Sequence, residues 1–539
     1  MTSADLIIRD VEKLSIKRTL PQLIAFGVLL CILLLPGINH GLWRPDEPRV
    51  AGICAEMART GDYCVPHLNG RPFLEKPPLY FVCGALSGRL FGMGQDVSYR
   101  LVSLVFAAFT IILTVFIASR KLGFLHGLIA AGILASSWEF FQLSRWIMVD
   151  MALVFGVTLA MYAYQRVLDD HRVIDSILLG LSLGIAFMAK GLVGPAIVAS
   201  ALAVDIIRKR DITIIFRIRP LLVTLLVLAP VVPWIVGLYA QGGWPFVREV
   251  FVVNNFMRFF GTLEGAALGH QQGLLYHVYH FPGNFLPWTF LFIPALVASI
   301  RNMRDDQYAS WFVGPFFLLS LASTKRGFYL VPLYPAAACM IAGWLASGSR
   351  KRWEEAMLKI TWLLAIIFSI APFAGLFLGR PAIAVVMGVV ALSSLAVIMK
   401  YKPMKHLRGF ALVMAICVAL ITSSTVYFSY MKPHEDYLDF ARQALKIVDN
   451  QELNVLGHDQ ANRGLVSLVF KRHFAEKDPP EIQTSGFYFW ADKHDRALEA
   501  LQKNARVNIV LERELGSRNA RVAYVIPQRV TQGSSEKKR

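Results

Sequence analysis

The chain has 539 residues, of which 55% are hydrophobic and only 17% charged, a balance that excludes an ordinary soluble domain of this size. The formal net charge of +18 would suit a nucleic-acid binder, but the basic residues stand as short clusters between apolar runs, the pattern of loops touching anionic lipid. The composition points to a multi-pass membrane protein with no nucleic-acid partner.

The first apolar run, 20–38, follows Arg9, Lys13, Lys17 and Arg18, and no small-residue cleavage site comes after it. It reads as a retained span rather than a signal peptide. Further runs long enough for the hydrocarbon core lie near 99–118, 122–138, 146–165, 174–189, 191–206, 219–239, 284–300, 309–323, 328–347, 358–378, 381–399 and 409–429. The expectation is therefore an all-α bundle of about thirteen transmembrane helices. The run Pro77 to Met93 is short, opens on two prolines and contains Arg89, so it reads as a helix lying on the membrane surface.

With the N-terminus in the cytoplasm, each cytoplasmic connection carries clustered Lys or Arg, among them Arg120-Lys121, Arg208-Lys209-Arg210 and Arg350-Lys351-Arg352. The opposite face receives two long loops, 39–98 and 241–283. From Met431 the composition changes: amphipathic stretches (Tyr437 to Val448, Asp495 to Lys503) alternate with short β-like runs (Leu453 to Leu456, Val507 to Leu511, Val522 to Ile526). The expected division is a membrane domain, 1–430, and a small extracytoplasmic α/β domain, 431–539, with a polar tail from Ser534 to Arg539. Cys54 and Cys64 share the first long loop, outside the cytoplasm, so a disulfide between them is open. Cys31, Cys83, Cys339 and Cys417 read as small buried hydrophobes.

The first long loop concentrates the chemistry. It runs Trp43-Arg-Pro-Asp46-Glu47-Pro48-Arg49, then Gly61-Asp62, Pro66-His67-Leu68-Asn69-Gly70-Arg71, then Glu75-Lys76-Pro77-Pro78. Adjacent carboxylates, a guanidinium three residues after the first, and a Glu-Lys pair beside a span are what acid-base or phosphate chemistry requires. The plainer alternatives are helix N-capping for Asp46 and Glu47, snorkelling for Lys76, and lipid contact for Arg49 and Arg71. Charged residues at span ends are the other candidates: Asp150 opening the fourth span, Lys190 at the turn before the sixth, and Arg258 in the second long loop. Lys190 also fits as a C-terminal helix cation before Gly191.

The series W-x-P-D-E-x-R, G-D-(x)3-P-H-L-N-G and E-K-P-P resembles the first periplasmic loop of the lipid A aminoarabinose transferases. More loosely, it resembles the protein O-mannosyltransferases. The similarity continues in Asn284-Phe-Leu-Pro287-Trp288 and in Lys325-Arg-Gly-Phe-Tyr329-Leu-Val-Pro332. The resemblance implies a GT-C glycosyltransferase of the bacterial inner membrane that uses an undecaprenyl-phosphate sugar. Its acceptor would be lipid A or a related glycolipid, and its site would face the periplasm. It implies Asp46 as a catalytic base or acceptor-orienting residue, Asp150 as a second catalytic carboxylate, and Arg49, Lys76, Lys325 and Tyr329 around the donor phosphate. Arg258, by its place in the second long loop, is a further candidate for that phosphate, with lipid contact as its plainer alternative. The resemblance also implies a divalent metal such as zinc on Glu75 and a histidine, His270 by spacing, with His277 and His280 as rivals. Lys325 and Tyr329 are expected one helical turn apart. Pro48 and Val50 stand where the aminoarabinose enzymes usually have Thr and Tyr, which bears on the sugar more than on the reaction. A transferase of another hexose, onto a glycan, a lipid or a secreted protein, is the second reading. A lipid transporter is a third, disfavoured because the charges gather at one face without a repeat.

Overall fold

A computed structural model describes residues 27–30, 32–43, 45–261, 270–301, 306–347, 351–400, 407–449, 451–471 and 473–527. The first part of the first expected span (20–26), its preceding basic residues, Cys31 and the tail Ser534 to Arg539 lie outside the described residues.

Helices overlie each of the other expected runs. Among the described residues eight are long and apolar enough to cross a membrane, or nine if the pair Tyr276–Asn284 and Thr289–Arg301, bent by 119°, is one span. Phe124–Ala135, Val193–Lys209 and Gln307–Leu321 coincide with expected spans but, at 12, 17 and 15 residues, are shorter than those eight. The multi-pass character stands, while the number thirteen exceeds what helix length alone supports. The interfacial helix forms as Leu79–Phe91, started by Pro78.

The chain folds as two compact units. The first comprises Met1–Ile38, Glu75–Pro77 and Ser103–Tyr430, and the second Asn39–Leu74, Pro78–Val102 and Met431–Arg539. The sequence division fell at residue 430; by contacts, nearly all of the first long loop belongs with the C-terminal residues.

Inside the membrane unit Asp150–Asp170 and Val173–Lys190 form an antiparallel hairpin joined by two residues. Small residues let the backbones approach: a Cβ on Gly156 would lie 2.9 Å from the Ala186 Cα.

The second unit is built on a five-stranded sheet: β3 (Leu453–Leu456), β4 (Glu476–Lys477), β5 (Gly486–Asp492), β6 (Ala505–Leu515) and β7 (Arg518–Pro527), in the order β4-β3-β5-β7-β6. A small hairpin of β1 (His67–Leu68) and β2 (Arg71–Pro72) stands apart from it. Strand β3 runs parallel to β4 and β5, whereas β5 pairs with β7, and β7 with β6, antiparallel. Tyr488, Trp490, Ala523 and Val525 lie in its core. The helix Asp46–Thr60 packs on Gln460–Phe470 so tightly that a Cβ on Gly52 would come within 2.5 Å of the Gly464 Cα. Strand β5 escaped sequence reading because Phe487 to Ala491 are buried without a break, so the run does not alternate.

The Cys54 to Cys64 bridge does not form; both are free thiols. Cys54 lies on the buried side of Asp46–Thr60, where its Sγ would meet a Cβ on Gly84 at 2.4 Å, while Cys64 sits in the loop beyond the helix.

Candidate functional site

In the membrane unit the site is assembled at the open end of the hairpin. Asp150 is the first residue of one helix and Lys190 the last of the other, so folding back brings them side by side. Each also complements its helix dipole. The Lys190 ammonium donates to the Asp150 carboxylate and lies 4.0 Å from the centre of the Tyr329 ring.

Lys190 and Tyr329 line a cavity of about 320 Å³ with Lys76 and Arg258. The rest of its wall is largely apolar, including Leu153, Ile197, Phe259 and Leu318, and no carboxylate lines it among the described residues. Pro77 keeps Lys76 out of the helical region, in the segment that enters the membrane unit. Its ammonium donates to the Glu75 carbonyl at 3.1 Å. Burial, and then the nearby Arg258 guanidinium, push Lys76 down to about 7. Arg258 stands 3.7 Å from the Glu75 carboxylate. Three cations against a hydrocarbon wall form a receptor for an anion carried on an apolar chain.

Lys325 does not line this cavity. It precedes a 3-10 helix, Gly327–Leu333, instead of standing one α-turn before Tyr329. Its ammonium donates to the Gln272 carbonyl at 2.9 Å, and burial lowers its pKa.

The expected metal pair does not assemble a metal site. His270 Nε2 lies 2.5 Å from the Arg326 guanidinium, and Glu75 faces Arg258. His277 is fully buried with neither ring nitrogen hydrogen-bonded, and burial, followed by the Lys325 charge, pushes it down to about 4. The His280 ring lies over Tyr276 at 4.0 Å. No group of three or more His, Cys, Asp or Glu is placed to hold a metal among the described residues. One carboxylate and one imidazole, each beside a guanidinium, do not fit a divalent ion.

Sequence reading missed Glu139. It lies on the short helix Trp138–Leu143, in the connection between Phe124–Ala135 and Asp150–Asp170. Burial and the Asp150 charge push its carboxyl up to about 7. An acid in an apolar turn was the available signal, and it was lost because the expected span ended at residue 138.

In the second unit Asp46 and Arg49 are brought together at the start of Asp46–Thr60, with 2.5 Å between carboxylate and guanidinium. Arg49 also donates to Gln460 at 2.7 Å and lies over the Phe73 ring. The adjacent Glu47 is separated from this pair: it is buried, accepts from Trp43 N at 2.8 Å and meets the buried Arg100 at 2.9 Å. Arg100 also binds Asp96 and the Gly41 carbonyl.

Residues 75–236 match the family model described as dolichyl-phosphate-mannose-protein mannosyltransferase. An undecaprenyl phosphate-alpha-4-amino-4-deoxy-L-arabinose arabinosyl transferase of Edwardsiella ictaluri is 29% identical over 360 residues, 65% of this chain and 63% of that protein. A protein of the same name from Pectobacterium atrosepticum is 28% identical over 368 residues, 66% of this chain and 64% of its own. The match thus spans less than two thirds of those two relatives. A crystal structure of ArnT from Cupriavidus metallidurans bound to undecaprenyl phosphate superposes with a TM-score of 0.77 at 18% identity, covering 93% of this chain and 98% of that one. The apo form gives 0.76 at 19% identity, with 94% and 98% covered.

The fold is of the GT-C type, shared with the Cupriavidus metallidurans ArnT over nearly the whole chain. In sequence the chain is similar to the two arabinosyl transferases over about two thirds of its length.

Proposed function

We propose that the protein transfers a sugar, 4-amino-4-deoxy-L-arabinose, from undecaprenyl phosphate to a phosphate of lipid A at the periplasmic face of the inner membrane. The observation that carries this reading is the cavity where Lys76, Lys190 and Arg258 meet an apolar wall, the chemistry of a polyprenyl phosphate. The names of the relatives supply the sugar and the carrier. The basic connections on the other side of the helices supply the orientation.

In this mechanism Lys76 and Arg258 neutralise the phosphate as the bond to the anomeric carbon breaks and the carrier leaves as undecaprenyl phosphate. Lys190, oriented by Asp150 and stacked on Tyr329, adds the third positive charge. A lipid A phosphate oxygen, ionised at neutral pH, attacks the opposite side of the anomeric carbon and inverts it. The resemblance of its loop assigns Asp46 to the acceptor, as an orienting group or, with a hydroxyl acceptor, as general base.

The family model over residues 75–236 favours a second reading, transfer of a hexose from a polyprenyl phosphate to a protein or another glycan. The experiment incubates the purified full-length protein with prenyl-phosphate aminoarabinose and lipid A, and in parallel with prenyl-phosphate mannose, and reads products by mass spectrometry. Aminoarabinose on lipid A supports the first reading. Mannose transfer without it replaces that reading with the second.

A further inference from the structure

The connection 136–149 also borders a second cavity, of about 460 Å³, within the range of about 300–1,000 Å³ that small-molecule sites occupy. Its wall includes Trp138, Phe141 and Arg145 of that connection, Phe368, and Leu420 and Phe428 of the helix Arg408–Glu435. It shares no lining residue with the three-cation cavity.

The chemistry of this wall is distinctive. It is almost wholly apolar, Arg145 is its single charged side chain, and no carboxylate lines it among the described residues. Arg145 is buried, with its guanidinium 3.4 Å from the centre of the Phe141 ring and 5.0 Å from that of Phe428, and it donates to the Pro36 carbonyl at 3.0 Å. Stacking on two rings fixes the charge in the wall of a hydrocarbon-lined space. An acyl chain fills such a space, and an anionic headgroup complements the guanidinium.

The position matters as much as the lining. Glu139 follows Trp138 of this cavity and feels the charge of Asp150, the partner of Lys190 in the other one. The connection therefore runs from the wall of the second cavity to Asp150, whose partner Lys190 lines the first. A transferase between two lipids needs a space for each.

We propose that the second cavity is the acceptor site, holding an acyl chain of an anionic glycolipid with its phosphate drawn to Arg145. The proposal rests on the transferase reading above. Leu420→Trp places an indole in the cavity away from the three cations. With purified full-length protein in nanodiscs, this variant raises the lipid A KM about tenfold while binding of undecaprenyl phosphate stays within about twofold. Arg145→Lys keeps a charge but loses the stack, and weakens the acceptor in the same direction. An unchanged acceptor KM in Leu420→Trp overturns the proposal, and so does an equal loss of donor binding.

A binding measurement separates this proposal from the identity of the acceptor. Wild-type protein saturated with undecaprenyl phosphate is titrated with a short-chain phosphatidic acid and with the matching phosphatidylcholine. Preference for the anionic lipid, abolished in Leu420→Trp, supports the cavity even if no sugar reaches lipid A. Equal binding of the two lipids, or binding untouched by the tryptophan, refutes it.

Discussion

Asp150 and Lys190, 40 residues apart, pair because a helical hairpin returns the chain to its starting depth, leaving an acid at one helix N-terminus and a base at the neighbouring C-terminus. Their side chains are 6% and 11% exposed, so the pair is close to fully desolvated. Removing one partner from such a pair costs about 3–5 kcal/mol, because the other charge is left uncompensated. Asp150→Asn and Lys190→Met each lower the unfolding temperature in detergent, and the double variant recovers part of the loss. The coupling in a double-mutant cycle is about 1–3 kcal/mol. Additive effects would show that the pair contributes nothing to the fold.

Lys76 supplies the pH dependence. Burial and Arg258 bring its ammonium down to about 7 in the free protein, so it is charged below that pH and increasingly neutral above it. A bound phosphodiester, whose own charge is constant here, restores the proton. Donor binding is then flat with pH below 7 and weakens by about tenfold per unit above it. Titrating a short-chain prenyl-phosphate sugar from pH 6 to 9 by calorimetry tests this, with proton uptake on binding as the second readout. Lys76→Arg stays charged and removes the slope. A wild-type affinity independent of pH would refute the contact.

The order of the two cysteines in reactivity follows from burial. Cys54 is fully buried and its thiol is pushed far above the usual range, whereas Cys64 is half-buried and raised less. Under native, non-reducing conditions a maleimide modifies Cys64 and leaves Cys54 untouched, and both react after denaturation without reductant. Mass spectrometry of peptides covering 54 and 64 that finds a bridge instead would contradict the fold of this loop.

What the sequence disclosed was local, and what it hid was long-range. Glu75-Lys76-Pro77-Pro78 announced a cation beside a membrane, and Lys76 lines a cavity with Lys190 and Arg258, its backbone held extended by the proline that follows. Asp150 and Lys190 were each visible, but their pairing needed the hairpin. Arg49 and Gln460 are 411 residues apart, so nothing local could reveal that the first long loop packs on the helix Gln460–Phe470. Lys325 and Tyr329 were read with an α-helical period, and the 3-10 turn sent Lys325 elsewhere.

Orientation is open to a direct test. In the proposed orientation the basic connections face the cytoplasm and the C-terminal unit faces the periplasm. A reporter active only in that compartment, fused after Tyr430, is expected to be active, and one fused at Lys121 inactive. The reverse pattern in inserted protein would invert every loop and move the cationic cavity to the cytoplasmic side.

Asp46 and Glu47 are neighbours in sequence with opposite expected behaviour. Glu47 is buried against Arg100 and receives the Trp43 amide, so Glu47→Gln removes a charge that a buried guanidinium needs. The loss expected is about 3–5 kcal/mol of stability, seen as lower yield and lower unfolding temperature. Asp46 is more exposed, its side chain at 14%, and meets Arg49 in a pair that solvent partly screens. Asp46→Asn keeps shape and removes only a partly screened charge pair, so it shifts stability by under about 1 kcal/mol. If Asp46 orients the acceptor, turnover falls by about a hundredfold or more while donor binding stays near wild type. Measuring kcat, donor affinity and unfolding temperature on both variants separates the roles. Wild-type turnover in Asp46→Asn would end the proposed role of Asp46 and leave its pairing with Arg49 in the first turn of Asp46–Thr60 as the reason for its place in the chain.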